Sequence, residues 1–221
     1  MDALFPRKCL VCRASIKTGV ICEKCRAEIT PNTSFFCGKC KARICGTRKT
    51  CHKDFPYLLG GAASYGDKTI KTLIHCLKFR GMRDAAEPLA EIMGKYISGL
   101  DADLAGYSII PIPLSPKRQR ERGFNQAELI GKILAARLNI PLETKILVRI
   151  KHASPQSATE NAIERRMNVR GCFAAASGSL CGRKVILVDD VTTSGATFLE
   201  AALSIKNAGA KKIIALAAAM A

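Results

Sequence analysis

An α/β fold follows from three features of this 221-residue chain. The run from Val185 to Val188 is apolar and rich in β-branched residues, which reads as a buried parallel strand. It passes through two adjacent acids into a small hydroxyl-rich loop, then into a helical pattern from Phe198 to Ala208. A second strand, Tyr107 to Ile110, ends in the turn Pro111-Ile112-Pro113-Leu114-Ser115, and a helix takes Asn125 to Leu138. The apolar run from Ile213 to Ala221 is long enough for a buried strand and too short to span a bilayer. In open α/β sheets ligands bind beyond the carboxyl ends of the strands, which places both loops at one site.

The first of these loops carries the most specific chemistry. Asp189 and Asp190 end the strand, and Val191-Thr192-Thr193-Ser194-Gly195-Ala196-Thr197 follows. Small residues at a helix start leave backbone N–H groups open to a phosphate, and the helix dipole favours its charge. The acids can accept hydrogen bonds from sugar hydroxyls beside that phosphate. The combination reads as a receptor for a sugar phosphate. A plain capped turn would need one hydroxyl and no acid pair.

The turn after Ile110 is followed by Lys117, Arg118, Arg120 and Arg122, relieved only by Glu121. Cations beside a strand end suit pyrophosphate, with Pro113, Leu114 and Ser115 forming the turn around it. The bland alternative is an exposed charge run in front of the next helix. Elsewhere, Ala62 to Tyr65 reads as a short strand. Ile70, Leu73, Ile74 and Leu77 form a core stripe on a helix that stops at Gly81, where His75 and Cys76 are packing or surface residues. A further helix runs from about Asp84 to Ile97. Ile146 to Ile150 is a strand, and the polar stretch from Lys151 to Asn161 suits a loop that closes over substrate, ahead of a helical turn at Glu164. Strands at Lys184 to Val188 and Lys212 to Leu216 complete the set.

Eight of the eleven cysteines lie in the first 51 residues, as Cys9-x2-Cys12, Cys22-x2-Cys25, Cys37-x2-Cys40, Cys45 and Cys51. Each knuckle points two thiolates at a common centre, and two knuckles complete a tetrahedral Zn²⁺ site. Cys9, Cys12, Cys22 and Cys25 make the cleaner set. Cys37, Cys40, Cys45 and Cys51 make a second, in which His52 could replace Cys51. So few apolar residues accompany them that metal binding must supply the folding energy, and full coordination by protein ligands makes the zinc structural. The N-terminus has no apolar h-region, which disfavours a signal peptide and a disulfide scaffold and points to the cytoplasm. The expected division is a zinc ribbon at 1–56 and an α/β domain at 57–221.

The net charge of +17 points to an anionic ligand or partner. Residues 1–56 hold twelve Lys/Arg against four Asp/Glu, so the excess is shared by both parts and keeps nucleic acid in play. With no Trp and 5% aromatics, stacking platforms are sparse, which favours electrostatic over stacking-driven binding.

The stretch from Val185 to Thr197 resembles the phosphoribosyl-pyrophosphate (PRPP) signature of type I phosphoribosyltransferases, with Ala196 where a second Gly is common. The order of motifs along the chain is narrower. Cysteine knuckles precede Leu77-Lys78-Phe79-Arg80-Gly81, then Arg122-Gly123-Phe124-Asn125-Gln126-Ala127-Glu128, Pro155-Gln156-Ser157, and Glu164-Arg165-Arg166-Met167-Asn168-Val169. This order resembles the ComF family of competence-associated, phosphoribosyltransferase-like proteins over nearly the full length. Ala158-Thr159 departs from a common Gly-Leu.

The resemblance implies a type I phosphoribosyltransferase-like, twisted, mostly parallel sheet flanked by helices, behind a zinc ribbon. It implies that Asp189 and Asp190 bind the ribose hydroxyls, and that Thr192, Thr193, Ser194, Gly195, Ala196 and Thr197 hold the 5′-phosphate. Pro113, Leu114, Ser115, Lys117, Arg118 and Arg122 would take pyrophosphate, with Mg²⁺ accompanying PRPP. No residue stands out as the general base; His152, Arg165 and Arg166 are the candidates for help from the closing loop. Acceptor specificity in such folds lies in a hood, here expected within 57–100. The implied role is natural transformation, in handling incoming single-stranded DNA, with protein partners in the uptake machinery and no membrane insertion. The alternatives are a non-catalytic, PRPP-responsive single-stranded DNA-binding protein and a nucleotide-salvage transferase. A PRPP-sensing transcriptional regulator ranks last, since no helix-turn-helix pattern is evident.

Overall fold

Six strands form one twisted sheet in the computed structural model, which describes residues 7–44, 52, 54–150 and 171–221. The strands are β1 (Phe35–Cys37), β2 (Arg43–Ile44), β3 (Leu58–Ser64), β4 (Tyr107–Pro111), β7 (Lys184–Thr192) and β8 (Lys212–Met220). Their order is β2-β1-β3-β8-β7-β4. β3, β8, β7 and β4 are parallel, whereas β1 joins β3 antiparallel and β2 joins β1 antiparallel. A separate antiparallel pair, β5 (Leu147–Arg149) and β6 (Phe173–Ala175), lies beside the sheet.

The alternation of β7 assigns its two faces. Ile186 and Val188 share a core with helices α2 (Lys68–Phe79), α3 (Ala86–Ser98) and α5 (Gln126–Leu138). Val185 and Leu187 share another with α6 (Ala196–Asn207) and with Leu147 and Phe173 of the β5–β6 pair. Both central strands are buried on both faces, as expected of parallel strands covered by helices. β8 can sit at the centre because its inward residues are mostly alanines, which let helices approach closely.

Several boundaries differ from the sequence reading. β3 begins at Leu58 rather than Ala62, a start hidden in the sequence because Gly60 and Gly61 weaken the strand signal; a Cβ at Gly60 would lie 2.8 Å from Leu216 and one at Gly61 2.9 Å from Met220. β7 and β8 extend to Thr192 and Met220. The basic run after β4 is a helix, α4 (Pro116–Arg122), with no buried residue. Its signal was the Ser115 cap followed by Pro116 at the first helical position. The expected hood at 57–100 is largely not a hood. β3 lies inside the sheet and α2 and α3 pack on it; from this segment Tyr57 and the end of α2 reach the site.

The ribbon is joined to the sheet rather than appended to it. Through the β1–β3 pairing, Phe36 and Cys37 are hydrogen-bonded neighbours of Leu59 and Leu58. The first knuckle packs Cys9, Ile21, Cys25 and Ile29 into the core that holds α2 and α3. Arg26 of α1 (Glu23–Ala27) pairs with Glu91 of α3.

Candidate functional site

Asp189 and Asp190 stand at the carboxyl end of β7, which lies between β8 and the edge strand β4. Successive residues of a strand face opposite sides. Asp190 therefore shares the side of Ile186 and Val188, and Asp189 that of Val185 and Leu187, so the pair straddles the strand end. Asp190 is 3% exposed, and its Oδ1 meets Lys78 Nζ of α2 at 3.0 Å. Its Oδ2 is buried with no hydrogen-bond partner among the described residues. Such an acceptor is costly unless a ligand's hydroxyl or a metal-bound water reaches it. Asp189 Oδ1 accepts from the Asp190 N–H at 2.8 Å.

Burial pushes the Asp189 carboxyl up to about 7, Asp190 adds to the rise, and Lys78 opposes it. In the free protein Asp189 is then largely protonated below neutrality. A ligand that donates hydrogen bonds to it, or brings a cation, favours the ionised form and releases a proton. The sign follows: the raised acid favours the free fold below the ordinary carboxylate range, and that advantage is lost as pH rises through about 7. A sugar phosphate whose hydroxyls or accompanying cation met Asp189 would therefore bind more tightly as pH rises from about 6 to 8. Calorimetry with such a ligand at pH 6.5 in buffers of different ionisation enthalpy should report proton release beyond that of the ligand's own phosphate, whose second ionisation lies at about pH 6, and Asp189→Asn should remove that excess.

The loop beyond β7 has the form a phosphate requires. Thr192 is buried in the strand; Thr193 is exposed; Ser194 and Thr197 are half-buried; Gly195 and Ala196 are buried. Gly195 has φ +78°, so the chain enters α6 through the left-handed region. Among the described residues no carbonyl takes the amides of Ser194, Gly195 or Thr197, and only the Ser194 hydroxyl, at 3.4 Å, approaches that of Ala196. Four amides at the start of a twelve-residue helix make an anion nest.

The third side is the β4–α4 turn. Ile112 N–H donates to Val188 O at 2.9 Å, which ties the turn to β7. Asn125 donates to Ile112 O at 3.0 Å and caps α5 with its other amide atom. Pro113, Leu114 and Ser115 are half-buried, and the Ser115 hydroxyl accepts from Arg118 N–H at 3.3 Å. Arg122 donates to Gln126 at 2.8 Å. Burial lowers the Arg122 pKa while Asp190 and Asp189 pull it back up, so this cation lies within electrostatic reach of both acids. Lys117 is exposed and pairs loosely with Glu121. A cavity of about 540 Å³ is lined by Lys78, Phe79, Arg118, Glu121 and Arg122. Arg120 is exposed on α4 and is not among the residues lining that cavity. His152, Arg165, Arg166 and the stretch from Lys151 to Asn161 lie outside the described residues.

Two site residues were not assigned from the sequence. Lys78 was visible only as part of a motif; the end of α2 brings it to Asp190. Lys41, from the ribbon, lies against Gly195: a Cβ built there would be 2.8 Å from its Nζ. No local pattern links residues so far apart in the chain.

The cysteines gather as expected. The sulfurs of Cys9, Cys12, Cys22 and Cys25 lie within 4.8 Å of one another. Burial pushes the Cys9 thiol up, but N–H donors from Cys12, Cys22 and Val11 outweigh it and bring it down to about 6. Burial and the other three sulfurs drive Cys25 upward. Four sulfurs this close cannot all ionise without a cation among them, which fits Zn²⁺. Cys37, Cys40 and His52 form the second cluster, with Cys37 Sγ 3.4 Å from His52 Nδ1. His52 thus stands with Cys37 and Cys40 as a candidate ligand, while Cys45 and Cys51 lie outside the described residues.

Comparison with known proteins agrees with both parts. Residues 125–221 match the phosphoribosyl transferase domain, and residues 1–53 match the double zinc ribbon domain. The chain is 30% identical to Competence protein F of Haemophilus influenzae over 96% of each chain. It is 28% identical to Competence protein ComFC of Bacillus subtilis, over 80% of this chain and 74% of that one. It is 28% identical to DNA utilization protein YhgH of Escherichia coli O157:H7, over 94% of each. No helix among the described residues is long and apolar enough to cross a membrane. With a phosphoribosyltransferase-type sheet, a double zinc ribbon and full-length similarity of this degree, the chain belongs to the ComF family.

Proposed function

We propose that this protein binds PRPP with Mg²⁺ at the end of β7 and acts on incoming single-stranded DNA during natural transformation. The observation that carries the first half is the conjunction of an amide nest with an acid whose buried oxygen has no protein partner among the described residues. The nest takes the 5′-phosphate. Asp190, held by Lys78, and Asp189 accept from the ribose hydroxyls. Arg118 and Arg122, with the turn at Pro113 to Ser115, face the pyrophosphate. Mg²⁺ accompanying PRPP would supply a Lewis acid for the departing pyrophosphate.

Phosphoribosyl transfer breaks the C1–pyrophosphate bond as an acceptor nitrogen or oxygen attacks C1. Positive charge develops on the ribose ring and negative charge on the departing oxygens. Arg122, partly buried, stabilises the latter more strongly than an exposed cation would. The remaining contribution is positioning, since both ends of the donor are held by fixed backbone. In this reading residues 1–56 and 57–221 act as two parts of one sheet-linked unit.

The relatives' names, competence and DNA utilization, support the nucleic-acid half. So does the site's rim. Phe79 is 68% exposed, and the Arg122 guanidinium lies 5.6 Å from its ring centroid. This offers a stacking face beside cations, which suits an unpaired base. Oligonucleotide affinity should fall steeply with salt, with a log–log slope of about −3 if roughly four phosphates are neutralised. A flat salt titration would remove the backbone contacts from the account. The acceptor is identified by single-turnover reaction of labelled PRPP with a panel of bases and oligonucleotides, where pyrophosphate release with one acceptor defines the reaction.

A further inference from the structure

The Cys9–Cys12 knuckle of the first metal site and the Cys37–Cys40 knuckle of the second share one backbone design. In the first, Arg13 follows Cys12 at φ 65°, its N–H donating to Cys9 O at 3.0 Å. In the second, Lys41 follows Cys40 at φ 61°, its N–H donating to Cys37 O at 2.9 Å. Cys9 N–H donates to Ala14 O and Cys37 N–H to Ala42 O, both at 2.8 Å. Both turns place a long basic residue in the left-handed region, where glycine or asparagine fits better. Their side chains differ in where they go. Arg13 is exposed, beside α2. Lys41 is half-buried, its Nζ is out of reach of solvent, and it abuts Gly195 in the phosphate loop next to the Tyr57 hydroxyl, which donates to Gly195 O at 3.4 Å.

We infer that Lys41 supplies the phosphate nest with a cation delivered by the second zinc knuckle, so that the ribbon is part of the sugar-phosphate site; this rests on the PRPP reading of that loop. An ammonium in that place adds positive charge beside the amide nest, and charge-assisted contacts to a phosphate are stronger than those from neutral amides alone. A side chain at Gly195 would displace the flexible end of Lys41, whose Nζ a Cβ would approach to 2.8 Å, and would press on Tyr57 Oη at 3.0 Å. β1 pairing with β3 holds the knuckle at this distance from the loop. The sequence therefore ties a metal-bound turn to substrate charge through one residue. Lys41 is a binding residue for the terminus of the donor farthest from bond cleavage.

The test uses the full chain loaded with zinc, with ribose 5-phosphate and inorganic pyrophosphate as separate probes in calorimetry. Lys41→Gly suits the left-handed backbone, so the knuckle keeps its fold, confirmed by zinc content and melting temperature. It should weaken ribose 5-phosphate binding by about tenfold or more and change pyrophosphate binding less than about twofold. Lys41→Arg should recover most of the loss. Arg13→Gly, the same change in the first knuckle, should leave both probes unaffected. If wild type binds ribose 5-phosphate and Lys41→Gly binds it equally, the role of Lys41 is refuted and the sugar site stands. If wild type binds neither ribose 5-phosphate nor PRPP, the reading of the loop falls and this inference falls with it.

Discussion

Replacing Asp190 by Asn should weaken binding of PRPP with Mg²⁺ by about 100-fold, the loss of one or two hydrogen bonds to a charged acceptor. The carboxylate is almost wholly buried, one oxygen is held by Lys78 and the other meets no protein donor among the described residues. Asn keeps the shape but loses the charge and turns one acceptor into a donor. Lys78 then loses its partner. Its side chain is 18% exposed on a long stem and can turn to water, so the fold is affected less than the ligand. The melting temperature should move by only a few degrees, while the calorimetric signal for PRPP is lost. A variant that melts normally and binds PRPP like wild type would remove Asp190 from the site.

Loss of the first zinc cluster should have the largest effect on stability. Cys25→Ser removes a buried ligand from a four-sulfur set. Structural zinc contributes on the order of 10 kcal/mol to such small units, more than this segment's few apolar residues can replace. Ile21 and Ile29 pack into the core shared with α2 and α3, and Arg26 pairs with Glu91, so release of this ribbon uncovers part of the main domain. The variant should lose zinc, become sensitive to protease within 7–29 and aggregate on warming. The second knuckle is held by the β1–β3 pairing and should keep its metal. Unchanged zinc content and unchanged proteolysis would contradict the assignment of these four cysteines as one centre.

What the sequence disclosed, and what it did not, follows from the range of each signal. The loop from Asp189 to Thr197 is contiguous, and a β-branched run, two acids and small residues in that order constrain it without reference to the rest of the chain. The cysteine spacings are equally local. β1 and β2 were invisible because three residues and two residues carry no periodicity, and their role depends on pairing with β3. The cations after β4 read as a pyrophosphate site but not as helix α4, because none of its side chains is buried and it shows no apolar stripe. Lys78 and Lys41 approach Asp190 and Gly195 from distant segments. Only the folded sheet brings them there, and neither residue type is unusual in a chain this basic.

The central claim is that the acids and the amide nest at the end of β7 together receive an activated pentose phosphate. A crystal soaked with PRPP and Mg²⁺ tests it most directly. The account predicts ligand density with the 5′-phosphate on the amides from Ser194 to Thr197 and ribose oxygens within hydrogen-bond distance of Asp189 and Asp190. Density elsewhere on the protein, or a loop whose amides turn inward to the protein's own carbonyls under saturating ligand, would contradict it.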